Sequence, residues 1–151
     1  MSSEQIPVEA WDHLVVRVSN LERSLAFYRE HLGFEPEIDV EFGGEALETI
    51  LEGGGSGALP GARAHLVIGR VGGQKVELIE YTVPEGTTGP EPGITAFTLR
   101  IGDADQAYAI AQRNRIPCDS RPQEIEGSRQ FFIRDPDGTR IELTQPPSLG
   151  G

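Results

Sequence analysis

The feature that most constrains this chain is an internal repeat. The segment WDHLVVRVSN, residues 11–20, aligns with ITAFTLRIGD, residues 94–103, at a constant offset of 83. Each reads as a strand rich in β-branched residues that ends in a side chain suited to capping a helix, Asn20 or Asp103. A second pair, KVELIE from Lys75 and RIELTQ from Arg140, matches at an offset of 65. The fall from 83 to 65 gives the first copy 18 extra residues, placed between Val40 and Gly61, where Glu45 to Glu52 suit a short helix before a Gly-rich loop.

A helix follows the first strand in both copies. Leu21, Leu25, Tyr28 and Leu32 fall on one helical face, and Gly33 is placed to end it. Ala104, Ala107, Tyr108, Ile110 and Ala111 give the second, Ala-rich face, closing near Asn114 with Pro117 beyond. Turn signals at Gly72-Gly73 and at Asp135-Pro136-Asp137-Gly138 mark the final hairpin of each copy.

These spacings predict strands over 11–18, 34–39, 64–71 and 74–82, then 94–101, 117–123, 128–134 and 139–145, with helices over 21–32 and 104–114. The expected fold is α+β: two tandem βαβββ units, 11–83 and 93–145, forming one domain whose curved mixed sheet surrounds a cup. A Pro- and Gly-rich linker, 84–92, joins the units, and a frayed tail is expected over 146–151.

Strand side chains alternate between faces, so Leu14, Val16 and Val18 belong on the helix-packed face, and Trp11, His13, Val15 and Arg17 on the other. The last strands place Glu77, Ile79 and Tyr81, and Arg140, Glu142 and Thr144, on matching faces. His13, Glu77 and Glu142 therefore share the cup side and converge if the two units meet about a pseudo-two-fold axis. One imidazole and two carboxylates form a hard, oxygen-rich set, better suited to Mn, Fe, Co, Ni or Mg than to a thiophilic ion, with zinc admissible. Three protein ligands leave positions open for water and substrate. The blander alternative is a packed strand histidine with two solvent-facing glutamates.

Other residues carry weaker signals. His65 has no fixed parity, and His31 suits a helix end. Arg17 and Arg100 are repeat partners able to receive an anion, to cap strand ends or to pair with nearby Glu. Cys118, the single cysteine, has no local His partner and fits a reducing cytoplasm. The first nine residues lack a secretory pattern, and no apolar run approaches the ~20 residues a membrane span needs. A net charge of −11 disfavours nucleic acid and anionic membrane surfaces as partners, but not a small anion in a cleft lined by arginine.

Several stretches resemble one family. Val15 to Phe34, with NLERS at 20–24, Phe27-Tyr28 and Leu32-Gly33-Phe34, is similar to the first unit of the vicinal oxygen chelate superfamily, which comprises glyoxalases, bleomycin-resistance proteins and extradiol dioxygenases. Leu59 to Ala62, Val76 to Tyr81 and Phe132 to Leu143 resemble it too, so the likeness covers about residues 11–145. It implies metal ligands at His13, Glu77, Ala96 and Glu142, of which Ala96 has no donor. Extradiol activity, which needs His at two of these positions, is not expected. The resemblance implies a metal-dependent lyase, isomerase or epimerase acting on a small oxygenated metabolite through an enediolate, with Glu77 or Glu142 moving a proton. Trp11, Val15, Ile79, Tyr81, Ala96 and Thr98 would line the substrate cup. It leaves open a metal-free protein that sequesters a ligand in the room beside Ala96, and a tailoring isomerase or cyclase of secondary metabolism. It also implies a homodimer, with units paired within or between chains.

Overall fold

The computed structural model describes residues 4–50, 60–86, 93–134, 136 and 138–148. Its elements run β1 (Val8–Arg17), α1 (Leu21–Leu32), β2 (Glu35–Gly43), α2 (Glu45–Ile50), β3 (Arg63–Val71), β4 (Gln74–Thr82), β5 (Gly93–Ile101), α3 (Ala104–Arg113), β6 (Gln123–Ile125), β7 (Ser128–Arg134) and β8 (Arg140–Gln145). The eight strands form one curled mixed sheet in the order β2-β3-β4-β1-β5-β8-β7-β6. The α+β architecture expected from the repeat is the one observed.

The repeat is visible in the pairing itself. Within each unit the first strand lies parallel to the last, with Val15 opposite Glu77 and Thr98 opposite Glu142. The two first strands meet antiparallel at the centre, Leu14 opposite Phe97. Asn20 and Asp103 cap their helices by accepting from Arg23 N and Gln106 N, each at 3.0 Å. Each helix start is also tied to its unit's last strand by equivalent residues: Leu21 N donates to Glu80 Oε2 and Ala104 N to Gln145 Oε1, both at 2.9 Å. Gly33 ends α1 in the left-handed region at φ 70°. Gly72 and Gly73, both at positive φ, close the β3–β4 hairpin in a two-residue turn that side-chain-bearing residues disfavour.

Hydrophobic burial divides into three parts. Leu21, Phe34, Val67, Val76 and Leu78 pack with α1 on the outer face of unit one. Ile101, Ala104, Ala107, Ala111, Phe131 and Leu143 do the same with α3 in unit two. The third cluster, which includes Val15, Leu66, Ile79, Ala96, Phe132 and Leu47, lies on the concave face. Helix α2, from the insertion expected in unit one, contacts β2 at one edge of the sheet and β6 at the other, so it bridges the cup.

Two element boundaries differ from the sequence expectation. Strand β2 continues past residue 39 to Gly43, because it keeps a partner in β3 along its whole length. The strand expected over 117–123 is only an isolated bridge, Cys118 to Ile133, followed by the short β6. Pro117 and Pro122 withhold ladder donors there. Most of the Gly-rich loop, linker residues 87–92 and Asp135 and Asp137 of the last turn lie outside the described residues.

Candidate functional site

The concave face encloses a cavity of about 340 Å³. Its wall on the unit-one side is mostly apolar, formed by Ile38, Val40, Phe42, Leu66, Ile68 and Ile79, with Lys75, Glu77 and Tyr81 of β4 as its polar members. The unit-two side carries Gln130, Phe132, Arg140, Glu142 and Thr144. His13, Val15 and Arg17 lie between them on β1, and Leu47 of α2, only 2% exposed, covers the space.

His13, Glu77 and Glu142 are brought together, as the strand parities predict. His13 Nε2 stands 3.3 Å from Glu77 Oε1. Thr98 Oγ1 donates to Glu142 Oε1 at 2.9 Å, and Thr98 Oγ1 is itself 3.3 Å from His13 Nε2. Gln130 Nε2 donates to the other oxygen of Glu142 at 3.1 Å. His13 Nδ1 is 2.8 Å from Asp12 Oδ1, which directs Nε2 into the cup.

The electrostatics follow from this packing. Burial disfavours a charged His13, but hydrogen bonds to Asp12 and Glu77 and the charges of Glu77 and Glu142 outweigh it, raising its pKa to about 10. The hydrogen bond from His13 holds Asp12 below the usual carboxylate range. Burial, then the negative charge of Glu77, pushes Glu142 up to about 7. Burial likewise raises Tyr81 to about 12, so its phenol stays protonated near neutrality beneath the Arg17 guanidinium, 5.0 Å from the ring centre.

Of the six residues expected to line the cup, Val15, Ile79, Tyr81 and Ala96 do so. Trp11 does not. A register shift between Trp11 and His13 makes Asp12 the extra residue of a bulge, so Trp11 pairs beside Leu99 and His13 beside Thr98. Trp11 therefore turns to the outer face, 63% exposed and stacked on Phe97 at 4.6 Å. The same bulge brings Asp12 to the cavity, a role that strict alternation hides. Thr98 lies below the lining, fully buried under His13 and Glu142. His65 sits on the outer face with Asp39 at 2.7 Å, and Arg100 lies near Glu9 at 3.5 Å. Pro146 and Pro147, expected in a frayed tail, line the cavity instead.

Among the described residues no group of three His, Cys, Asp or Glu forms a ready-made metal set. The donor chemistry nevertheless fits a hard divalent cation. His13 Nε2 and Glu77 Oε1 are separated by 3.3 Å, close to the ~3 Å between adjacent ligand atoms that each lie about 2.1 Å from a metal. Asp12 supplies the outer carboxylate that a ligating imidazole commonly has. Glu142 reaches the same imidazole only through the hydroxyl of Thr98.

The family model of the glyoxalase/bleomycin resistance protein/dioxygenase superfamily matches residues 10–143. No curated protein sequence matches the chain. Methylmalonyl-CoA epimerase from Mycobacterium tuberculosis superposes with a TM-score of 0.71 at 18% identity, covering 97% of this chain and 94% of that one. A hypothetical protein, BH1468 from Bacillus halodurans C-125, gives 0.67 at 14% identity, covering 93% and 96%. A Streptomyces coelicolor methylmalonyl-CoA epimerase variant in complex with 2-nitronate-propionyl-CoA gives 0.67 at 16% identity, covering 96% and 99%. Among the described residues no helix is long and apolar enough to cross a membrane.

Proposed function

The chain belongs to the glyoxalase/bleomycin resistance protein/dioxygenase superfamily, and from that premise we propose that it is an isomerase- or epimerase-type enzyme that moves a proton next to a carbonyl of a small oxygenated metabolite. The observation that carries this reading is the unequal treatment of two repeat-equivalent glutamates. Glu77 faces His13. Glu142 is buried, held by Thr98 and Gln130, and has a pKa of about 7. A carboxyl group with a pKa near ambient pH exchanges protons with little driving force wasted in either direction.

In this reading Glu142 takes up or returns the substrate proton, and Glu77 serves the other face of the reacting carbon. Thr98 and Gln130 fix the Glu142 carboxyl in place, Tyr81 offers a hydroxyl proton to a substrate oxygen, and Leu47 with the apolar wall keeps water out. A divalent cation, with His13, Glu77 and Glu142 as its ligands, would polarise vicinal oxygens of the substrate and stabilise negative charge on them. Two of the solved proteins that share this fold are methylmalonyl-CoA epimerases, which is compatible with this chemistry.

The test is solvent deuterium entry, followed by NMR, into phenylpyruvate and methylmalonyl-CoA with and without added Mn²⁺ or Co²⁺. Enzyme-dependent exchange that falls by about 10²–10⁴ in Glu142→Gln supports the proposal, and exchange no faster than in buffer refutes it. A ligand-sequestering role is the second reading. It is favoured by the mostly apolar wall and by Ala96, and tight binding without exchange would select it.

A further inference from the structure

The pseudo-two-fold repeat makes the two halves of the cup comparable position by position. Unit one presents Val15, Leu66, Ile68 and Ile79; their equivalents in unit two are Thr98, Gln130, Phe132 and Thr144. Three of four apolar positions have become polar, and two of these, Gln130 and Thr144, face the cavity, so it has an oilier side and a hydrogen-bonding side. The largest exchange is at the first strand. Unit one carries His13, whereas unit two carries Ala96, and Ala96 lies in register beside Arg140 on the same cavity wall.

Arg140 is held in place there. Its Nε donates to Asp119 Oδ2 at 3.0 Å, Arg134 donates to both oxygens of the same carboxylate, and the guanidinium lies 3.8 Å over the Phe132 ring. A guanidinium pre-oriented in this way suits a planar oxyanion. Ala96, in register beside it, puts only a methyl group on the cavity wall.

We propose that the hollow at Ala96 receives the carboxylate of a small, unesterified organic acid, recognised by Arg140, whose apolar body lies against the unit-one wall. This rests on the reading of the cup as a substrate site and names its substrate class. The lining favours the free acid over its coenzyme A ester. Toward β6 and the chain end the lining is Ile125, Glu126, Ser128, Pro146 and Pro147, which offers a carboxylate and no cation to the phosphates of a coenzyme A ester; the other cations of the lining, Arg17 and Lys75, lie on β1 and β4, where Lys75 stands 3.6 Å from Asp12. A volume of about 340 Å³ also lies at the small end of ligand pockets.

Calorimetry with three probes tests the proposal: hydrocinnamate, hydrocinnamyl alcohol and hydrocinnamoyl-CoA. The acid is expected to bind about tenfold or more tightly than the alcohol, as a charge-assisted contact implies, and more tightly than the thioester. Arg140→Met should abolish the preference of acid over alcohol. Should that variant fail to fold, Ala96→Leu fills the hollow without removing Arg140 and should weaken the acid selectively. Equal affinity for acid and alcohol, tighter binding of the thioester, no saturable acid binding, or unchanged acid binding in Ala96→Leu would each overturn it. Failure of deuterium exchange with acid binding intact would sink only the enzyme reading.

Discussion

Thr98 Oγ1 donates its hydroxyl proton to Glu142 Oε1 at 2.9 Å, and Thr98 Oγ1 also stands 3.3 Å from His13 Nε2. One buried side chain thus touches both the imidazole and the raised carboxyl. In unit one the equivalent position is Val15, so the link exists on one side of the cup only.

Replacing Thr98 with Val should cost about 1–2 kcal/mol of stability, since Glu142 Oε1 loses a donor in a buried setting. It should also raise the Glu142 pKa above about 7, because the Thr98 hydrogen bond lowers it. The measurement is the pH profile of deuterium exchange together with a denaturant midpoint. Thr98→Ser should restore both. A loss of stability with no movement of the pH profile would mean that Thr98 is structural only.

Much of this was legible in the sequence. The offsets of 83 and 65 set the two units and their register, and alternation along β1, β4 and β8 was enough to bring His13, Glu77 and Glu142 to one face. What alternation cannot express is a bulge. The extra residue at Asp12 sends Trp11 outward and turns a non-descript acid into the partner of His13. Gln130 escaped notice for a different reason: its importance comes from Glu142, a neighbour across the β7–β8 pairing that no local pattern reveals. Leu47 reaches the cup only because α2 leans across to β6.

The metal-free protein should lose stability as pH rises. His13 has a folded pKa of about 10 against 6.5 unfolded, so its contribution is complete below pH 6.5 and disappears as pH passes through 10. Glu142 has a folded pKa of about 7 against 4.5, so ionising it opposes folding increasingly between pH 4.5 and 7. Both act in one direction, and urea midpoints in the presence of a chelator should fall from pH 5 to pH 10. Asp12→Asn should lower the His13 pKa and flatten the upper part of that slope. A stability that rises across this range would contradict the assigned contacts.

Trp11 is the chain's one tryptophan, and it is 63% exposed on the outer face. Its emission should be that of a solvated indole, and filling the cup with hydrocinnamate should leave intensity and wavelength unchanged. Quenching that saturates with calorimetric binding would place Trp11 at the cavity and show the bulge to be wrongly described.

Ala96→His separates the metal-binding and metal-free readings most directly. The substitution puts an imidazole at the position equivalent to His13, beside Glu142 rather than Glu77, and so adds a fourth donor to a set of one nitrogen and two carboxylates. If His13, Glu77 and Glu142 are a metal set short of one ligand, Mn²⁺ or Co²⁺ affinity measured by calorimetry should rise by about tenfold to a hundredfold, a range that even outer-ligand changes command. The new side chain would also fill the hollow before Arg140, so hydrocinnamate affinity should fall in the same protein. A gain in metal affinity that His13→Ala cancels would identify the shared site. Unchanged metal affinity in a folded variant would mean that these three residues serve as an acid–base set alone.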